Sequence, residues 1–176
     1  MSLSLTAALA PQGPFAALLE GRVRPAGVEL QFAPADDVPG MFRRMVREQA
    51  FDLCELALAT YLCAREHGAR FTALPVFPVR GFHHGAIAVA VDGPIRGPQD
   101  LAGRAVGVNR GWTVTSGLWV RGLLQQEHGL DWRRIHWRVS GDEHVASYRL
   151  PPGVQALEGG PSLAQRVLDG ELAAAI

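Results

Sequence analysis

The chain has 176 residues, balances 17 basic against 17 acidic side chains, and is 48% apolar. This is enough for one large domain or two small lobes, and zero net charge without a basic block excludes a general nucleic-acid surface. Every basic residue is arginine and there is no lysine. Pyridoxal phosphate anchoring, imine-based decarboxylation and a Gly-Lys-Ser/Thr phosphate loop are therefore excluded. Cys54 and Cys63 lack CxxC spacing and read as reduced, buried thiols. The first residues have neither a positive n-region nor a long apolar core, and no stretch reaches transmembrane length. The expected location is the cytoplasm, or the periplasm if a leader has been removed.

Leu3 to Ala8 reads as a strand, followed by a turn at Pro11–Pro14 and a helix carrying Phe15, Leu18 and Leu19. Val28, Leu30 and Phe32 alternate as in a strand. Val38, Met41, Phe42 and Met45 fall at helical spacing, with Arg43, Arg44 and Arg47 on the solvated side. Phe51 to Cys54 reads as a strand, Ala57 to His67 as a helix stopped by Gly68, and Thr72 to Val79 as a fourth, apolar strand. This β-α-β-α-β-α-β order predicts a mostly parallel α/β layer. The Gly/Pro-rich Asp92–Pro98 stretch marks a boundary, giving a first lobe over 1–91 and a second over 92–176.

In the second lobe a short helix at Gln99 to Leu101 precedes a strand at Ala105 to Val108. A loop then opens a helix from Thr115 to His128, stopped by Gly129. Ile135 to Val139 reads as a strand, Gly153 to Pro161 as a loop, Ser162 to Leu168 as a helix and Leu172 to Ile176 as the start of a strand. Because the chain stops within that apolar run, a fragment is expected.

Three places carry candidate chemistry. Arg80, His83 and His84 follow the Thr72–Val79 run, at the carboxyl edge where open α/β sheets bind ligands. Arg80 suits a bidentate carboxylate clamp, and a histidine suits a general acid; the bland alternative is an ion pair and solvent-facing rings. Adjacent histidines on an extended chain face opposite ways, which disfavours a shared metal. The second place is Asn109–Ser116, where Arg110, Trp112, Thr113, Thr115 and Ser116 lead into a helix start that can receive an anion. Plain helix capping by Thr113, Thr115 or Ser116 is the alternative there. The third is Asp52 and Glu55, either as acids at a helix start or, for Glu55, as a proton acceptor. Trp112 and Trp119 suit a sandwich around an aromatic ring, with core packing the simpler reading of Trp119, and Arg121 reads as a surface pair. No dinucleotide fingerprint or hydrolase nucleophile motif is present.

The segments Phe51-Asp-Leu-Cys-Glu55, Leu74-Pro-Val-Phe-Pro-Val-Arg-Gly-Phe-His-His84, Gly97–Val108 and Trp119–Gly129 resemble the 4,5-dihydroxyphthalate decarboxylases. The resemblance covers the whole chain but about the first half of such a protein. Ala57 and Ala59 stand where relatives often have serine, and His83 where arginine is common. The resemblance implies a type 2 periplasmic-binding-protein-like fold of three-layer α/β/α lobes, with no cofactor and no metal. It implies decarboxylation of an aromatic dicarboxylic acid to protocatechuate and CO2. The roles it implies are His84 or His83 as acid, Glu55 as acceptor of the phenolic proton and Arg80 as clamp. The expected partner is a small aromatic or organic carboxylate, with self-association open and neither nucleic acid nor membrane involved. An ABC-transporter receptor, an enzyme of the menaquinone-precursor branch and a sensor of aromatic acids are the competing readings.

Overall fold

A computed structural model describes residues 2–11, 13–35 and 37–176. Gln12, within the expected Pro11–Pro14 turn, lies outside them. The chain divides into two compact units, Met1–Arg80 and Gly81–Ile176.

In the first unit, β1 (Leu3–Ala8) is central, flanked in parallel by β2 (Val28–Phe32) and β3 (Leu53–Cys54) in the order β2-β1-β3. A short α1 (Ala16–Leu19) connects β1 to β2, α2 (Val38–Glu48) connects β2 to β3, and α3 (Leu58–Glu66) follows β3. Parallel neighbours need such crossovers, which is why the apolar period alternates between two and near four along the sequence. Met41 and Met45, one turn apart on α2, are buried with Ala8, Ala35 and Phe51. Gln49 ends α2 in the left-handed region at φ 50°. Arg44 places its guanidinium 4.8 Å from the Phe51 ring centre.

The fourth strand expected at Thr72–Val79 does not form. Residues 72–80 are irregular, and Leu74, Val76, Phe77 and Val79 are all more than half exposed. Pro75 and Pro78 remove two ladder donors from this run, so apolar content alone cannot make it a central strand. Arg80 and the histidines consequently do not follow a strand end.

The second unit begins with a 3-10 turn at His84–Ala86. A second such turn at Pro98–Leu101 leads to β4 (Ala105–Val108), α4 (Thr115–Gln126) and a third turn at Trp132–Arg134. Then come β5 (His136–Val139), β6 (Gln155–Ala156), α5 (Leu163–Leu168) and β7 (Ala174–Ala175). The sheet order is β6-β5-β4-β7, every pair parallel, with Val106 opposite Trp137 on one side and Ala174 on the other. β6 falls inside the stretch read as a loop. Val106, Val108, Val120, Leu124, Ile135, Trp137 and Val139 form the core between sheet and helix, as expected of a parallel sheet buried on its faces.

The division falls after Arg80, ahead of the Gly/Pro stretch. Residues before that stretch are tied to the second unit by an antiparallel bridge: Ala88 donates to Ala175 at 2.8 Å and Ala175 to Ala88 at 2.9 Å. The fold is mixed α/β with parallel sheets, as the element order predicts. No helix among the described residues is long and apolar enough to cross a membrane.

Candidate functional site

The strongest polar constellation of the second unit lies where β4 hands over to α4. Arg110 takes a left-handed conformation at φ 64° and Gly111 lies at φ 100°, turning the chain sharply. This turn aims successive backbone N–H groups to one side. They meet the carboxylate of Glu143, which accepts from the Trp112 N–H, from the Thr113 N–H at 3.1 Å and from the Thr113 hydroxyl at 2.6 Å. The two oxygens are divided between them, Oε1 to Trp112 and Oε2 to Thr113.

Behind the loop, Trp112 is buried, with its ring 5.6 Å from that of Trp137 and 5.8 Å from that of Trp132. Arg121 lies over the same ring, its guanidinium carbon 3.7 Å from the centroid, and Nη2 donates to the Trp112 carbonyl at 3.0 Å. Arg121 is only 6% exposed, so it is not the surface arginine expected from the sequence. Gly117, one turn earlier, leaves room for its head group, 3.3 Å from where a Cβ would stand. Burial pushes the guanidinium down to about 10, while Tyr148 and then Glu143 pull the other way. Arg121 Nη1 and Thr115 Oγ1 are buried without a hydrogen-bond partner. A cavity of about 370 Å³ opens beside the stack, lined by Trp112, Leu118, Arg121, Gln125 and Trp132 among others.

The capping expected of Thr113, Thr115 or Ser116 does not occur. Val114 occupies the N-cap of α4 and no side chain accepts there. Thr113 has turned its hydroxyl to Glu143, and Thr115 and Ser116 are already inside the helix. The N-cap residue of α4 thus offers its first N–H groups no side-chain acceptor.

The two histidines diverge, though not because the chain is extended: His83 has φ −104° and ψ 12°, and His84 starts a 3-10 turn. His84 Nε2 lies 3.0 and 3.2 Å from the carboxylate oxygens of Glu127, just past the end of α4. His83 stacks on Trp119, with centroids 6.4 Å apart and planes 10° from parallel. Trp119 is 53% exposed and so is not the core residue its type suggests. α4 has 12 residues, and at 1.5 Å per residue its start lies roughly 18 Å from the Glu127 end. The ring nearer the start of α4 is therefore His83.

In the first unit, Asp52 and Glu55 each accept a backbone N–H, from β1 and from the residues just after it. Asp52 Oδ2 accepts from the Thr6 N–H at 2.8 Å, and Glu55 Oε2 accepts from the Ala10 N–H at 3.1 Å. The N-cap of α3 is Ala57, with no side-chain cap. Glu55 is half-buried at the carboxyl ends of β1 and β3, beside Cys54, whose thiol burial and then the Glu55 charge push up to about 12. Arg80 is exposed. Among the described residues, no group of three or more His, Cys, Asp or Glu is placed to hold a metal ion.

Sequence reasoning missed Glu143 and misplaced Arg121. The available signals were glycines: Gly111 and Gly141 bracket the loop contact, and Gly117 precedes Arg121 by one helical turn.

Parallel α/β units with a polar strand-to-helix loop are compatible with a substrate-binding-protein class of fold. The chain belongs to the family described as ABC transporter, phosphonate, periplasmic substrate-binding protein, whose model matches residues 7–150. It is also similar to two proteins named 4,5-dihydroxyphthalate decarboxylase. The one from Comamonas testosteroni is 33% identical over 163 residues, 88% of this chain and 49% of the relative. The one from Pseudomonas putida is 33% identical over 168 residues, 90% of this chain and 64% of the relative. The chain thus spans about half of one relative's length and under two thirds of the other's.

Proposed function

We propose that this protein binds a small aromatic dicarboxylate and releases CO2 from it without a cofactor, with 4,5-dihydroxyphthalate as the first substrate to try. The observation that carries this reading is the 33% identity to two proteins of that name along about nine-tenths of the chain.

The chemistry is protonation at the ring carbon that bears the departing carboxylate. The new C–H bond makes the ring cationic, an oxygen para to that carbon stabilises it, and the C–C bond electrons return to the ring as CO2 leaves. The acid must lie face-on to an aromatic ring. His83 is the first candidate: Trp119 takes a face of its ring, and its in-plane nitrogens stay at the edge from which a proton is delivered. His84 is the second candidate: with Nε2 turned to Glu127, its Nδ1 is the nitrogen left to give a proton. From the resemblance, Glu55 is assigned as acceptor of the phenolic proton and Arg80 as clamp on the retained carboxylate. Arg110, Trp112, Thr113, Thr115 and Ser116 are assigned to substrate binding.

A second reading, a transporter's binding protein for a small anion, is favoured by the family description itself. Incubating the complete protein with 4,5-dihydroxyphthalate separates the two. CO2 and protocatechuate support the enzyme, and an H83N variant is then expected to lose at least a hundredfold in kcat while H84N loses less. Tight binding of an organic anion without turnover supports the receptor.

A further inference from the structure

We propose that the Gly111–Thr113 loop is an anion site closed by the chain's own Glu143, and that a small planar carboxylate competes with Glu143 for it. The donors are built for two oxygens: Trp112 N–H serves one, and the Thr113 N–H and hydroxyl serve the other. The backbone is shaped around the carboxylate as well. A Cβ on Gly111 would stand 2.9 Å from Oε2 and 3.0 Å from the carboxyl carbon.

Charge points the same way. Arg121 is buried within the same constellation, forms no salt bridge among the described residues, and has Nη1 without a partner. A buried guanidinium of this kind favours a negative group nearby, and Glu143 is one of the two groups whose charge reaches it. Glu143 sits on the irregular segment between β5 and β6, two residues after Gly141 at φ 75°, and not in a strand or helix. Trp112 and Thr113 present their donors to two oxygens, the number a carboxylate carries.

This inference rests on the proposed function's assignment of Trp112 and Thr113 to substrate binding and adds Glu143 as their internal competitor, and the two fail separately. Benzoate binding stays measurable without turnover, and CO2 release stays measurable if benzoate does not bind. The test titrates benzoate into the complete protein, into E143A and into E143Q, following the backbone amide signals of Trp112 and Thr113 by NMR. Removing the internal competitor is expected to tighten benzoate binding at least tenfold in E143A, with both amides shifting. E143Q, which keeps the shape and loses the charge, is expected to gain less in the same direction. Phenylphosphonate is expected to gain several-fold less than benzoate. A folded E143A with no gain, or a gain that leaves the two amides unmoved, overturns the proposal. Should E143A not fold, E143Q decides it alone: tighter binding supports the competition and unchanged affinity overturns it.

Discussion

Arg121 and Trp112 are joined twice, by a guanidinium 3.7 Å from the indole ring centre and by a 3.0 Å hydrogen bond from Nη2 to the Trp112 carbonyl. The arginine therefore fixes both the ring and the backbone of the loop that precedes α4. Truncating it to alanine removes the stack, the charged hydrogen bond and the packing of its stem, a loss of about 3 kcal/mol. R121M refills the volume and removes the unpartnered donor, and is expected to cost about 1 kcal/mol. Urea unfolding of both variants checks the order.

Two glycines of α4 are expected to respond in opposite ways to alanine. At Gly117 a Cβ would lie 2.9 Å from Val108 Cγ1 and 3.3 Å from Arg121 Nη1, whereas at Gly122 nothing stands within 4 Å. G117A should destabilise by about 1–3 kcal/mol through overpacking. G122A should gain up to about 1 kcal/mol from helix propensity. Thermal melts of the pair measure the contrast.

Cys54 should be inert. Its thiol is held near 12, first by burial and then by the neighbouring Glu55 charge, so almost no thiolate exists at pH 8. Iodoacetamide labelling of the folded protein, followed by mass spectrometry, is expected to leave Cys54 unmodified until denaturant is added.

Asp100 makes a pH-dependent contribution. Its Oδ2 accepts from the Arg96 N–H at 2.8 Å and the Gly97 N–H at 3.0 Å, and these two bonds, in that order, hold the carboxyl below its usual range. A lowered folded pKa means stability present above the unfolded value and lost as pH falls through the folded one. D100N should therefore unfold at lower urea than the parent at pH 7, with the gap closing below about pH 3.9. A gap that is unchanged at pH 3 would contradict this role.

The parallel architecture was legible because its strands and helices bury continuous faces. Leu3–Ala8 and Ala105–Val108 match their strands, and the buried Met41 and Met45 sit at helical spacing as expected. The run before Arg80 was misread because hydrophobicity was weighed above Pro75 and Pro78, which carry no N–H to pair. At the site, the loop holding Arg110, Trp112 and Thr113 could be found from local pattern alone. Its partner could not, because Glu143 comes from some thirty residues further on, in a segment without periodicity. Arg121 was misjudged because arginine is rarely buried, and only Gly117 hinted at the space made for it.

The bridge between Ala88 and Ala175 sets an order of events during synthesis. Near the start of the second unit, Ala88 exchanges both its bonds with Ala175, and β4 takes β7 as one of its two neighbours. Until residue 175 leaves the ribosome, β4 has an open edge on that side and Ala88 has no partner. Completion of the sheet waits on a closure spanning nearly the whole unit, which makes its assembly slow.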